Sequence, residues 1–408
     1  MHLANPSPGR VVEWVTEHLG HLCSDAPEAS PRFSGTQEAA DAALRAYDVD
    51  GYARQRSEVW PTERRGASGL SPWIRHGFLT LPHVWAHVEG GPSADVSKFR
   101  DELLWAEYSR HLYARLGEAM VEGLRASRTE SMIEQDPWDR SMACMDLTVG
   151  ELERDGWLVN QTRMWLASQW AVRHGAPWRD GEDRFFTHLL DGSRASNRSG
   201  WQWTVGTGNG KSYGFARWQV EKRAPGLCDT CVHRRSCPIE RFGEDVRLHT
   251  DSPHPLLRED PDVTSTAGPI AVQKRDEPDV VWLTAESLGD GDPALHANPD
   301  LGALFIFDEP LLRRLRLSGK RLIFLAERLA ELAKERPVEL HVGRPLDVLR
   351  ERRVATTFAP VPGWRAITDH ITPVELHPWP WLRRPNPGTL MSFSAWSGTS
   401  FRDRRKRS

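Results

Sequence analysis

Leu190-Asp191-Gly192-Ser193-Arg194-Ala195-Ser196-Asn197-Arg198-Ser199-Gly200-Trp201-Gln202-Trp203 is the run whose reading decides the fold. Acid, hydroxyl and amide groups stand beside two tryptophans, a mixture suited to gripping a planar polar ring system. Upstream, Asp146 to Arg163 reads as a helix ending in Trp157-Leu158-Val159-Asn160-Gln161-Thr162-Arg163. Farther out lie Glu102-Leu103-Leu104-Trp105 and Ser68-Gly69-Leu70-Ser71-Pro72. Downstream, Cys228-Asp229-Thr230-Cys231-Val232-His233-Arg234-Arg235-Ser236-Cys237-Pro238 packs three thiols into one loop.

The 408 residues are enough for two or three domains, each with its own core. A net charge of −3 decides nothing about partners, because nucleic acid is gripped by a local basic face. Arg194, Arg198, Lys211, Arg217, Lys222, Arg223, Arg234 and Arg235 cluster, and taken alone they read as solvated surface. The tail Arg402 to Arg407 is a short basic run that reads as a disordered end. No apolar stretch approaches the roughly 20 residues a membrane span needs, and the start lacks a basic-then-apolar leader, so a cytoplasmic protein with no membrane partner is expected. Eighteen tryptophans outnumber five tyrosines, a surplus that fits stacking on bases and moving electrons.

Helical spacing dominates residues 1–243, for example Leu103, Leu104, Tyr108, Leu112 and Leu116. Residues 244–278 are polar and Pro-rich and read as a linker. Residues 279–365 alternate short apolar strands, such as Val280 to Thr284 and Ala303 to Phe307, with a helix marked by leucines 322, 325, 329 and 332 and stopped by Pro337. This predicts a small doubly wound parallel sheet, followed by a C-terminal extension over 366–408. The fold class expected is α plus α/β.

In their order along the chain, these stretches resemble the DNA photolyase/cryptochrome family. The resemblance implies an all-helical FAD-binding domain placed first and an α/β antenna-like domain placed last, an order permuted relative to the family. It places Tyr52, Ser68, Leu70 and Ser71 on the phosphate side of FAD, Arg163 and Asp191 as an ion pair beside the flavin ring, and Asn197 opposite flavin N5. Glu102, Trp105, Asn160 and Trp203 match the catalytic pocket that receives an extruded pyrimidine dimer, and Trp201, Trp178 and Trp138 are the candidates for an electron path. The antenna pigment is left unassigned, since no phosphate-cradling loop is evident in the α/β half.

Three clustered cysteines point to a metal, with zinc the simplest ligand for a two-residue spacer. The resemblance to iron–sulfur bacterial photolyases adds Cys144 and implies a [4Fe–4S] cluster on Cys144, Cys228, Cys231 and Cys237, with zinc the alternative. Cys23 reads as a small buried residue. The expected activity is that of a deoxyribodipyrimidine photo-lyase: light-dependent electron transfer from reduced FAD to a cyclobutane dimer in UV-damaged DNA, by a monomer. The alternative is a cryptochrome-like blue-light photoreceptor that signals to a protein partner without repair, favoured by Ala106 and Ser193, where the family pattern has a basic residue and a second Asp.

Overall fold

The computed structural model describes residues 1–242 and 248–398. The chain forms two compact units: Met1–Tyr47 with Leu70–His87 and Asp262–Pro387, and Asp48–Gly69 with Val88–Pro261 and the segment from Gly388 onward. In chain order the described strands are β1 (His2–Leu3), β2 (Ala126–Arg128), β3 (Leu248–Thr250), β4 (Gln273–Lys274), β5 (Val280–Leu283), β6 (Ala303–Asp308), β7 (Val338–Gly343), β8 (Val354–Thr357) and β9 (Glu375–His377).

The first unit is α/β. Its seven strands lie in the order β1-β7-β6-β5-β8-β9-β4, with the central five parallel and the two edge strands antiparallel. The order reverses between β5 and β8, as doubly wound sheets do. All four residues of β5 and the first five of β6 are buried, because helices cover both faces of a parallel sheet. The helix Gly319–Leu332 joins β6 to β7 and buries all four of the expected leucines. Val280, Trp282, Leu304, Ile306, Val354, Phe358 and Trp364 share one core.

This unit is larger than residues 279–365 and does not stand only at the end. β1 pairs with β7, aligning His2 with His341 and Leu3 with Leu340. The helix Val11–Leu19, expected in the helical domain, packs on Gly319–Leu332 instead. Gly35 meets that same helix so closely that a Cβ would sit 1.8 Å from the Phe324 carbonyl oxygen, so no other residue fits without moving backbone. The expected linker also has structure. Leu248–Thr250 pairs with Ala126–Arg128, Asp262 caps the helix Val263–Ala267, and Gln273–Lys274 pairs with β9. β9 itself falls inside the stretch expected to be an extension and lies parallel to β8. Polar, Pro-rich segments here satisfy their backbone by edge pairing and capping, which leaves no hydrophobic period to read.

The second unit is helical over most of its length, as expected. Ser93–Leu116 is its longest helix, and Leu103, Leu104, Tyr108, Leu112 and Leu116 are all buried along it. Arg194–Val205 packs against it, and the helices Ala143–Asp155, Asn160–Ala167, Trp178–His188 and Arg217–Arg223 complete the surroundings of the site. The segment after Gly388 is fastened to Ser93–Leu116 and its neighbours: Tyr108 Oη donates to the Leu390 carbonyl at 2.7 Å, Arg115 Nη1 to the Gly388 carbonyl at 2.9 Å, and Leu390 N–H to the Leu257 carbonyl at 2.7 Å. The basic tail Arg402 to Arg407 lies outside the described residues. Among the described residues no helix is long and apolar enough to cross a membrane.

Asp292, at the start of the helix Pro293–Ala297, accepts from the backbone N–H groups of Ala294 and Leu295 at 3.1 and 3.0 Å. Burial pushes its carboxyl up to about 6. A group whose pKa is raised on folding binds its proton more tightly in the folded state, so its contribution is fully present below the unfolded value and is lost as pH rises through about 6. Asp292→Asn keeps the capping oxygen and cannot ionise. Melting of both proteins from pH 7 to pH 4 is expected to show wild type gaining on the variant by up to about 3 kcal/mol, mostly between about pH 6 and 4. A constant difference across that range would contradict the assignment.

Candidate flavin site, aromatic patch and thiol pocket

The run that opens the sequence analysis becomes a turn followed by the helix Arg194–Val205, which stops at Gly206 in the left-handed conformation with φ of 90°. Just before the helix, the Asp191 carboxylate accepts from Arg163 Nη2 at 2.7 Å, while Arg163 Nε donates to the Leu158 carbonyl at 3.0 Å. Arg163 comes from the helix Asn160–Ala167, so the expected ion pair forms across two elements. Asn197 and Trp201, four residues apart on Arg194–Val205, share one helix face. Three buried polar atoms here have no hydrogen-bond partner among the described residues: Asp191 Oδ1, Asn197 Nδ2 and Trp201 Nε1. An unsatisfied buried polar group costs about 1–3 kcal/mol, so three within the run from Asp191 to Trp201 call for partners that the described residues do not supply. These residues fit a flavin ring.

The phosphate-side candidates are split between the two units. Tyr52 is buried in the helical unit with its ring edge-on to Phe99 at 4.9 Å; burial first, then Glu102, raises its pKa. Ser68 lies near the end of the Asp48–Gly69 segment of the same unit. Leu70, fully buried, and Ser71, the first residue of the helix Ser71–Arg75, belong to the α/β unit.

Glu102 and Trp105 lie one turn apart on Ser93–Leu116, and Trp203 lies on Arg194–Val205, which packs against it. Trp105 is 36% and Trp203 41% exposed, so neither is a core tryptophan. Large exposed aromatics call for an explanation. Glu102 is held by Arg56 at 3.0 Å and Lys98 at 2.9 Å. Asn160 is exposed at the first turn of its helix. Its neighbour Gln161 donates to Tyr213 Oη at 2.9 Å, and the Tyr213 ring lies 5.9 Å from Trp203. Sequence reading missed Phe393, which stacks face to face on Trp105 with centroids 3.9 Å apart and planes 9° apart. Its only signal was an aromatic pair, Phe393 and Trp396, in an otherwise polar C-terminal stretch.

The candidate electron-path tryptophans are all buried, but they do not all meet. Trp201 lies edge-on to Phe185 at 5.1 Å, and Phe185 is 5.7 Å from Trp138. Trp138 in turn meets Trp170, a residue the sequence reading did not single out, at 5.1 Å. Trp178 makes no ring contact among the described residues, and the Arg179 guanidinium sits 5.2 Å from its ring. The basic residues of this region are largely engaged within the unit: Arg194 with Glu182 and Asp183, Arg217 with Glu221 and Glu240.

Cys144, Cys228, Cys231 and Cys237 line one pocket, together with Met142, Val220, Leu227, Ile239 and the cations Arg217 and Arg234. Cys144 opens the helix Ala143–Asp155, while the other three come from the loop after Arg217–Arg223. Burial, then the three neighbouring thiols, pushes Cys144 up to about 12; burial pushes Cys228 up to about 11 and raises Cys237. Ala143 N–H points at Cys231 Sγ at 3.5 Å. Among the described residues no three His, Cys, Asp or Glu side chains are placed to hold a single metal ion. Cys23 is buried in the α/β unit, its thiol raised to about 11 mainly by burial.

Residues 99–223, which carry Arg163, Asp191, Asn197 and Trp201, match the family described as the FAD binding domain of DNA photolyase. Individual relatives narrow the comparison. A deoxyribodipyrimidine photo-lyase of Thermus thermophilus is 35% identical over 191 residues, covering 42% of this chain and 43% of its own. The cryptochrome DASH of Gloeobacter violaceus is 25% identical over 226 residues, covering 47% and 44%. The crystal structure of a bacterial class III photolyase from Agrobacterium tumefaciens aligns over 53% of this chain and 46% of its own at 25% identity, with a TM-score of 0.40. The chain spans less than half the length of these curated relatives.

Proposed function

We propose that this protein repairs UV-damaged DNA by light-driven electron transfer to a cyclobutane pyrimidine dimer. The observation that carries the reading is the Arg163–Asp191 pair together with the buried polar atoms of Asp191, Asn197 and Trp201 that lack partners among the described residues, inside the stretch that matches a photolyase FAD-binding domain. FAD bound there would supply a light-excited one-electron donor. Arg163 would hold positive charge beside the ring, Asp191 would fix Arg163 and accept a hydrogen bond, and Asn197 would present a neutral amide that adds no second negative charge. Tyr52, Ser68, Leu70 and Ser71 are assigned to the phosphate side by resemblance.

The two exposed indoles, Trp105 and Trp203, would stack on bases extruded from the duplex, with Glu102 accepting from the thymine edge and Asn160 hydrogen-bonding the base. Stacking is worth about 1–3 kcal/mol per base, so Trp105→Ala and Trp203→Ala are each expected to weaken binding of a dimer-containing oligonucleotide by about five- to 150-fold. The deciding experiment illuminates the reduced, FAD-loaded protein with such an oligonucleotide under blue light and counts dimers; no loss of dimers ends this reading. A photoreceptor without repair is the second reading, favoured by Phe393 already covering one face of Trp105. Blue-light-dependent capture of a protein partner, with dimers untouched, would establish it.

The four thiols are assigned to a [4Fe–4S] cluster. Four thiolates suffice for a cubane cluster, and Arg217 and Arg234 at the pocket wall would offset their negative charge.

A further inference from the structure

We propose that Phe393 is a positioning residue for the lesion: it seals one face of the Trp105 indole and fixes its plane, so that one extruded base stacks on the face left open. The inference rests on the repair reading above and concerns how Trp105 is prepared for its base.

Trp105, Tyr108 and His111 recur at three-residue intervals on the helix Ser93–Leu116 and so lie along one side of it. Against that side packs a short helical stretch that begins at Phe393. Ser392 starts it, accepting at its Oγ from the Ala395 N–H at 3.1 Å and at its carbonyl from the Trp396 N–H at 2.9 Å. The two aromatics of this stretch stand three residues apart and fit between those of the longer helix. Phe393 stacks flat on Trp105 and meets Tyr108 edge-on at 5.9 Å, while Trp396 lies 5.4 Å from Tyr108 and edge-on to His111 at 5.3 Å.

A removable cover would be held loosely, and Phe393 is held on both sides. Three residues before it, the Leu390 N–H donates to the Leu257 carbonyl at 2.7 Å, and the Leu390 carbonyl accepts from Tyr108 Oη at 2.7 Å. Three residues after it, Trp396 is only 4% exposed and its Nε1 donates to His111 Nδ1 at 3.1 Å. Withdrawing Phe393 would strain or break these bonds and draw a buried indole into water. Phe393 is therefore a wall of the site. With that wall in place Trp105 still keeps 36% of its surface exposed, so the open surface lies away from Phe393. An indole sealed on one side can end a stack but cannot slide between two bases, which suits a pocket for an extruded lesion. Fixing the ring beforehand also removes the entropy cost of ordering it when the base arrives.

The test compares binding of a dimer-containing duplex and an undamaged duplex of the same sequence to the FAD-loaded, full-length protein, with a thermal melt of each sample. Phe393→Ala is expected to weaken binding of the damaged duplex by about two- to twelvefold, the equivalent of ordering one side chain, and to leave the undamaged duplex unchanged. Phe393→Tyr, which keeps a flat ring, is expected to bind as the wild type does. In a Trp105→Ala background, Phe393→Ala is expected to have no further effect. Should Phe393→Ala fail to fold, Phe393→Leu fills the space without a flat face and carries the same expectations. Tighter binding of the damaged duplex by either variant would make Phe393 a plug and overturn the proposal; so would unchanged binding, or a loss that persists without Trp105. Trp105→Ala alone separates this inference from the one beneath it: if that change leaves binding of the damaged duplex untouched, the repair reading of Trp105 falls, and the role of Phe393 with it.

Discussion

Arg163→Leu is expected to leave a folded protein that retains at least a hundredfold less FAD. The guanidinium of Arg163 is shared between the Leu158 carbonyl and the Asp191 carboxylate, and it is the described side chain that pairs with that acid. Asp191 is buried, and its second oxygen already lacks a partner among the described residues. Removing one member of a buried ion pair costs about 3–5 kcal/mol because the other charge is stranded. Even the lower figure, about 3 kcal/mol, corresponds to roughly a hundredfold in affinity if it falls on the bound state. Arg163→Lys should sit between the two, since an ammonium keeps the charge but cannot present the fork that reaches both acceptors. The measurement is flavin absorbance per protein after reconstitution, with a thermal melt on the same samples. Full FAD retention by the leucine variant would remove the ion pair from the site.

Cys144→Ser is expected to abolish iron and acid-labile sulfide in the purified protein and to lower its melting temperature by about 10 °C. Cys144 starts one helix and the other three thiols follow another, so a bound cluster would tie together segments far apart in sequence. Cross-links that close long loops contribute about 3–5 kcal/mol, and in a unit of this size each kcal/mol moves the melt by about 2–4 °C. The pH dependence has a definite sign. Burial raises Cys144 to about 12 and Cys228 to about 11, so metal must displace protons from these sulfurs. Uptake of iron into metal-free protein should therefore improve from about pH 6.5 to about pH 8.5. Stoichiometric zinc without iron or sulfide would establish the alternative.

What the sequence made legible is what strong local pattern encodes. The leucines of Gly319–Leu332 repeat at helical spacing, and β5 and β6 are short continuous apolar runs, so the doubly wound core could be read directly. The pairing of Arg163 with Asp191 and the gathering of four cysteines were legible as motif matches rather than as periodicity. The unit boundaries were not. β1 and β4 are two residues long and acquire their identity only from partners far along the chain, so no window around them carries a period. The edge-on meeting of Trp138 with Trp170 was hidden for a similar reason: it joins residues far apart in sequence, and no local pattern marks it. Phe393 was hidden in a stretch that composition alone describes as polar.

The pairing of His2 with His341 has a cost during synthesis. A ribosome emits residues at about 5–20 per second, so the first strand emerges many seconds before its neighbour exists. Throughout that interval the amino-terminal helix Val11–Leu19 trails from the exit tunnel with its apolar stripe of Val11, Val15 and Leu19 uncovered, a natural client for a chaperone. Nascent chains arrested before β7 should accordingly aggregate when chaperones are withdrawn, and chains arrested beyond β9 should not.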